Sequence, residues 1–125
     1  MKKINLLASI LLSSCCFTTF AGTLDNIIVI STEKSQGSIS LGEKSFYTKQ
    51  FDISLANNGE TINLSNTCLK AFNSDRKEFK LDTIDEKLTK GELKKGKLLK
   101  GMVVFSSNDE SVYGANLVKI LDSCK

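Results

Sequence analysis

The feature that most constrains the fold is a hydrophobic pattern with a period of two. Phe51, Ile53 and Leu55 alternate with polar or small residues, so an extended strand would carry all three on one face. The run from Ile27 to Ile30 is β-branched throughout and too short for a helix, which indicates a buried strand. The predicted strands cover residues 24–32, 45–56, 61–64, 67–72, 78–81, 98–105 and 117–121. Such spacing predicts an all-β fold, an antiparallel β-sandwich of about seven strands.

The connections between these strands carry turn and cap signals. Residues 57–59, Asn-Asn-Gly, tolerate positive φ and predict a hairpin. Residues 83–86 and 107–110 match the helix capping box, and Gly114 follows as a terminator. We therefore expect one or two single-turn helices in connections between strands.

The first 21 residues have the pattern of an export signal. Lys2 and Lys3 precede an apolar stretch, and Thr19 and Ala21 supply small side chains at the two positions that a signal peptidase recognises. Cleavage between Ala21 and Gly22 would leave residues 22–125 as a single domain. A membrane anchor is disfavoured because serines and threonines interrupt the apolar stretch. Residues 12–15 also match a bacterial lipobox, so a lipoprotein anchored through Cys15 is the alternative.

The four cysteines support the soluble product. Cleavage after Ala21 removes Cys15 and Cys16 and leaves an even pair, Cys68 and Cys124, whereas acylation of Cys15 would leave an odd thiol. In an oxidising periplasm we expect Cys68 and Cys124 to form a structural disulfide. A redox-active pair or a thiolate metal site is disfavoured, because the first usually has C-x-x-C spacing and the second needs more ligands.

The order of these segments resembles that of a family of short exported bacterial proteins, known as a domain of unknown function. The resemblance covers the chain from about Leu24, and its most specific part is LKKGKLLKGMVVF at residues 93–105. It implies an immunoglobulin-like β-sandwich and export, and it assigns no catalytic residue. Related sandwich families often have glycine in the turn where this chain has Arg76.

The composition removes much of the catalytic repertoire. The chain has no histidine, which excludes Ser-His-Asp triads, Cys-His dyads and histidine-ligated zinc. Two carboxylate clusters, at residues 82–86 and 109–110, lie in polar connections, where solvated helix caps explain them better than paired catalytic acids. Calcium is disfavoured because EF-hand spacing is missing, and no nucleophile elbow or phosphate loop occurs. We assign no catalytic, metal or cofactor-binding residue.

One basic stretch is the remaining candidate for binding. Its six lysines are a candidate polyanion patch: Lys87, Lys90, Lys94, Lys95, Lys97 and Lys100. The predicted leader removes two lysines, which leaves 15 basic against 14 acidic residues. The chain also has a single arginine and no aromatic residue among those lysines, so nucleic acid is not an expected partner. Lysines that protect a solvated loop or edge strand are the favoured explanation of the stretch, and weak contact with an envelope polyanion is the alternative.

The sequence thus favours a non-enzymatic binding or structural module of the bacterial cell envelope, periplasmic or secreted. The expected partner is an envelope protein or polysaccharide, without a transmembrane span in the mature chain. The alternative from another class is a small periplasmic inhibitor of a secreted hydrolase, since a rigid disulfide-linked loop loses little entropy on binding. An enzyme with an unrecognised carboxylate site is the least favoured hypothesis.

Overall fold

Nearly all of the regular structure is β-strand. The structure, a computed structural model, describes residues 24–123, so the predicted leader and Cys124 lie outside the described residues. In that range the strands are β1 Ile27–Leu41, β2 Lys44–Asn57, β3 Ile62–Asn63, β4 Cys68–Phe72, β5 Glu78–Ile84, β6 Glu92–Leu93, β7 Leu98–Ser107 and β8 Leu117–Leu121. Short 3₁₀ turns connect some of them: η1 Leu64–Asn66, η2 Glu86–Leu88 and η3 Glu110–Gly114.

Six of these strands form one antiparallel sheet in the order β1-β2-β7-β5-β4-β8, and β3 pairs with β6 in a small second sheet. The large sheet curls, because the segment that precedes β1 returns to the opposite edge. There the Leu24 amide donates a hydrogen bond to the carbonyl oxygen of Ile120 in β8, at 3.2 Å. The all-β class and the antiparallel pairing are confirmed.

The inner face of the curled sheet holds the hydrophobic core. Phe51, Ile53 and Leu55 are almost completely buried, as their alternation predicts. They lie beside Val103 and Phe105 of β7, and the Phe51 and Phe105 rings meet edge to face with centroids 6.0 Å apart. The period of two therefore identifies the central strand of the core.

The prediction that the first strand is buried is wrong for half of its apolar run. Ile27 is buried, but Ile28 and Ile30 are 47% and 56% exposed. Their side chains lie on the outer face of β1, which is an edge strand with only one face on the core. A β-branched run is compatible with both situations, since β-propensity follows the pleated backbone rather than burial alone.

The same strand continues well beyond its predicted end at residue 32. β1 and β2 form one long hairpin that closes at Gly42, whose φ is 65°, with a β-bulge between Glu33 and Ser35. Residues 33–40 are mostly polar and lack a clear apolar alternation, so the sequence pattern did not indicate a strand there.

The hairpin predicted at residues 57–59 is also wrong. β2 pairs with β1 and β7, while β3 pairs with β6. Asn57 is buried, and its Nδ2 atom donates to the carbonyl oxygens of Glu60 and Leu93 at 2.9 and 2.8 Å. Its Oδ1 atom accepts from the Gly59 amide at 2.8 Å. The asparagine therefore holds two connections together instead of forming a tight turn.

Both capping-box segments precede a short turn as predicted, but the capping residues differ. Thr83 belongs to β5, and η2 follows Asp85, whose side chain makes no cap hydrogen bond. At η3 the cap is Asp109, which accepts from the Ser111 amide at 2.9 Å. Ser107 lies at the end of β7, and its hydroxyl accepts from the Val112 amide.

Candidate functional site

The tip of the β1–β2 hairpin projects beyond the end of β7. Pairing of β2 with β7 stops at Tyr47 and Ser107, whereas pairing of β1 with β2 continues to Leu41 and Lys44. We call residues 39–46 the hairpin tip. Two of its apolar side chains are solvent-exposed, Ile39 by 50% and Leu41 by 65%.

These side chains form one wall of a groove of about 600 Å³ on the outer face of the sheet, which we call the outer groove. Strand register gives its floor: Gly37 pairs with Thr48, Thr48 with Ser106, and Ser106 with Lys80. Residues paired across neighbouring strands share one face of the sheet. The floor therefore presents two hydroxyl groups and one ammonium group in a row, and Ile39 and Phe46 form the next pair along the hairpin.

The opposite wall carries charges that mostly have partners. The Lys77 ammonium donates to the Ser111 hydroxyl at 3.1 Å, and Glu78 forms an ion pair with Lys70 at 3.4 Å. The Asp82 carboxylate accepts from the Thr83 hydroxyl at 3.0 Å.

The third groove carboxylate belongs to Asp109. Hydrogen bonds from the hydroxyl and then the amide of Ser111 lower the pKa of Asp109, so its charged form is stabilised where it stands. Each acidic group of the groove therefore has a neighbour that orients it, but only Glu78 has a cationic partner, Lys70.

A tyrosine supports the hairpin from its inner side. The Tyr113 hydroxyl donates to the carbonyl oxygen of Gly37 at 2.9 Å, directly behind the groove floor. The Tyr113 ring also meets Tyr47 edge to face, with centroids 5.8 Å apart. Because Tyr113 belongs to η3, this turn fixes the base of the hairpin tip.

A buried lysine fastens the same turn to β2. Lys49 is 2% exposed, and its ammonium donates to the carbonyl oxygens of Tyr113 and Ala115 at 2.8 and 2.7 Å. It also forms an ion pair with Glu33 at 2.8 Å and lies 5.4 Å from the centroid of the Phe51 ring. All three N–H donors are thus satisfied, as a buried ammonium requires. This lysine is structural: it joins η3 to both strands of the hairpin.

The outer groove is therefore suited to holding a ligand. It combines an exposed apolar wall with a polar floor, which is the usual composition of a recognition site. Within residues 24–123, no three or more His, Cys, Asp or Glu side chains group closely enough to hold a metal ion.

Comparison with known proteins places the chain in a family. The model of the domain of unknown function DUF4354 matches residues 1–122. The chain belongs to this family. Among solved structures it is similar to the crystal structure of an ApaG protein from Pseudomonas aeruginosa PAO1. The two are 40% identical with a TM-score of 0.75, over 81% of this chain and 99% of that one. No curated protein matches the chain.

In this DUF4354 protein, the six lysines of the basic stretch lie on different elements. Lys100 of β7 lies on the outer face of the large sheet, because it pairs with Ser54 of β2, which pairs with the exposed Ile30 of β1. A β-carbon on its neighbour Gly101 would lie 2.7 Å from Leu88, so η2 covers the inner side of β7. Lys87 lies within η2, and Lys90 follows it and forms an ion pair with Glu86. Lys94, Lys95 and Lys97 lie between β6 and β7. All six are exposed, and binding of a polyanion by them remains a prediction.

The two predicted carboxylate clusters are also divided among structural roles. Asp82 faces the outer groove, while Asp85 accepts from the Met102 amide at 2.9 Å and so joins η2 to β7. Asp109 caps η3, and Glu110 is the first residue of that turn. The interpretation as helix caps therefore holds for Asp109, whereas Asp82 lies within strand β5 and the Asp85 side chain caps no helix.

Cys68 begins β4, where it pairs with Leu121, the last residue of β8. Its predicted partner Cys124 lies outside the described residues, as do Ala21 and Gly22 of the predicted cleavage site. The disulfide and the cleavage therefore stay predictions. In residues 24–123 we find no helix long and apolar enough to cross a membrane.

The sequence interpretation missed the outer groove. Ile39 and Leu41 alternate with Ser38 and Ser40, so a period of two is present over residues 38–41. That signal was too short to stand out from the surrounding polar residues. Lys80 carried no signal at all, because an exposed lysine in a strand is ordinary.

Proposed function

We propose that this DUF4354 protein is a non-enzymatic binding module of the bacterial cell envelope, and that its outer groove binds an extended segment of a partner protein. The observation that carries the proposal is the hairpin tip, which holds Ile39 and Leu41 about half exposed or more over the groove. An apolar side chain at such exposure gains free energy when a partner covers it, at about 25 cal/mol per Å² of buried apolar area.

Two features favour an extended peptide over a compact ligand. The groove crosses four neighbouring strands, from Ile39 in β1 to Lys80 in β5, so it is long rather than deep. Its apolar wall also belongs to the exposed tip of the β1–β2 hairpin, at one end of the row of floor residues. An extended segment can therefore place one side chain against the wall while its neighbours contact the floor.

The proposal is tested by selecting peptides from a phage-displayed random 12-residue library on the immobilised protein. We expect the selected peptides to bind wild type and to lose binding to Leu41→Ser, because this change removes the most exposed apolar side chain of the wall. Ile30→Ser is the matched control, since Ile30 is similarly exposed on the same strand but lies away from the groove. Selected peptides that bind Leu41→Ser as well as wild type, or a failure to select any, would refute the proposal.

We propose further that the chain is exported with residues 1–21 removed and that its curled sheet is an immunoglobulin-like sandwich. The leader pattern supports export, and the enclosed core between opposite parts of one sheet supports the sandwich. Mass spectrometry of the product expressed from the full chain tests export. We expect a product that starts at Gly22. A product that starts at an acylated Cys15 would contradict this cleavage and support the lipoprotein alternative.

The Cys68–Cys124 disulfide is part of the same proposal. Cys124 lies three positions after Leu121, the residue that pairs with Cys68, with two residues between them. Three residues reach at most about 10 Å, enough to turn back to the neighbouring strand. Thiol titration of the denatured protein without reductant should give no free thiol, whereas one or more thiols per mature chain would contradict the bridge.

A further inference from the structure

Within the outer groove, one cation lacks a partner. Lys80 is exposed, and its side chain makes no ion pair or hydrogen bond inside the described part of the chain, residues 24–123. The other groove lysine, Lys77, donates to Ser111. The groove carboxylates are engaged by Lys70, Thr83 and Ser111, as described above. Asp82 and Asp109 accept hydrogen bonds from uncharged donors and keep their negative charges. Among the groove cations of the described residues, Lys80 is the one whose ammonium group is open to an incoming ligand.

Two hydroxyl groups lie in register with this ammonium. Ser106 pairs with Lys80, and Thr48 pairs with Ser106, so the three side chains cross the floor on one face. Gly37 ends the row without a side chain, and a β-carbon there would lie 3.4 Å from Thr48 Oγ1. The glycine thus leaves the Thr48 hydroxyl open to a ligand. An ammonium and two hydroxyls offer several donors to one acceptor group.

The position of the apolar wall narrows the choice of ligand. Phe46 pairs with Ile39 one row beyond Thr48, so an anion on the floor would have apolar side chains beside it. A carboxylate within a peptide, either an acidic side chain or a C-terminus, supplies both groups: a negative charge and a neighbouring apolar residue. Charge-assisted hydrogen bonds of this kind are about twice as strong as neutral ones.

We propose that Lys80, Thr48 and Ser106 form a carboxylate subsite, and that the outer groove selects peptide segments with an acidic group next to an apolar residue. The inference rests on the proposed function of the groove and names the ligand class that it takes. Lys80 is the residue that determines the specificity.

The test uses a synthetic, fluorescently labelled peptide from the selection described above, with the dissociation constant measured by fluorescence polarisation. We expect Lys80→Gln to weaken binding about tenfold or more, since a charge-assisted bond contributes that much. Lys100→Gln is the matched control, because Lys100 is an exposed lysine on the same outer face at the other end of β7. It should stay within about twofold of wild type.

A double-mutant cycle tests whether Lys80 contacts the carboxylate of the peptide directly. Replacing the carboxylate of the peptide by its amide should weaken binding to wild type by a similar factor and leave binding to Lys80→Gln nearly unchanged, as expected for two groups that contact each other. Circular dichroism verifies that the variants are folded.

Peptides that depend on Leu41 but bind Lys80→Gln as tightly as wild type would overturn the carboxylate subsite and leave the proposed function standing. Selected peptides without any carboxylate would overturn it as well. If no selected peptide depends on Leu41, both the subsite and the proposed function fail.

Discussion

Substitution of Lys49 by methionine tests how the hairpin is held in place. Methionine keeps most of the aliphatic volume of lysine and removes its three hydrogen-bond donors. The carbonyl oxygens of Tyr113 and Ala115 would then lose the donor that now lies 2.8 and 2.7 Å away. The third partner, Glu33, has a side chain that is 59% exposed, so water replaces the lost ion pair there.

The magnitude follows from these contacts. A buried acceptor left without a donor costs about 1–3 kcal/mol, and the two acceptors affected are the buried Ala115 carbonyl and the part-buried Tyr113 carbonyl. Part of this cost is relieved by the rehydration of Glu33 and by the apolar fit of methionine, so we expect a loss of about 2–4 kcal/mol. For a domain of roughly this size, 1 kcal/mol shifts the melting temperature by about 4 °C or more. The melting temperature should therefore fall by about 8–16 °C or more.

Thermal and urea unfolding, followed by circular dichroism, measure this change. Lys34→Met is the control, because Lys34 is exposed and its ion pair with Asp52 spans 3.9 Å; we expect a change below about 0.5 kcal/mol. Near-ultraviolet circular dichroism of the tyrosines reports separately whether the Tyr47–Tyr113 contact is retained. A Lys49→Met protein as stable as Lys34→Met would refute the argument that this ammonium fastens η3 to the hairpin.

Three further changes test other parts of the structure. Arg76 has a φ of 67°, so Arg76→Gly should stabilise the protein by about 0.5–1 kcal/mol. Asp75→Gly relieves no such strain and should destabilise the protein. Equal effects of the two changes in urea unfolding would contradict the strain at Arg76. Gly101→Ala should lower the free energy of unfolding by about 1–3 kcal/mol, because the new β-carbon would lie 2.7 Å from Leu88. When Gly101→Ala and Leu88→Ala are combined, the total loss should be at least about 1 kcal/mol smaller than the sum of the two single losses. Strict additivity would exclude that contact. Ser111 lowers the pKa of Asp109, so the stability that this contact contributes is present at neutral pH and disappears as the pH falls through the folded-state pKa. Ser111→Ala should raise the pKa of Asp109 in an NMR titration. An unchanged pKa would contradict the assigned cause.

The sequence predicted the central strand of the core because burial on one face imposes a strict alternation. Phe51, Ile53 and Leu55 follow that rule. The same kind of residue at Ile28 and Ile30 is exposed, since whether a β1 side chain faces the core or the solvent depends on the position of the strand in the sheet. Strand order is set by contacts between distant segments, and the local pattern does not encode it.

The polar contacts illustrate the same limit. Lys49 lies in a polar stretch and resembles any surface lysine in the sequence, yet the chain 64 residues later supplies the carbonyl oxygens that bury it. Asn57 resembled a turn residue because asparagine tolerates positive φ, but its side chain is satisfied by Glu60 and Leu93 across two connections. The groove floor depends likewise on register between β2, β7 and β5, which brings Thr48, Ser106 and Lys80 into one row.

The most direct test of groove binding is an NMR titration of the isotope-labelled protein with a selected acidic peptide. We expect the largest amide shift changes in the hairpin tip and along the groove floor, at Leu41, Thr48 and Lys80. Changes centred on Ile30 and Lys100, at the other end of the outer face, would contradict the account, as would a saturable titration that leaves the hairpin tip unperturbed.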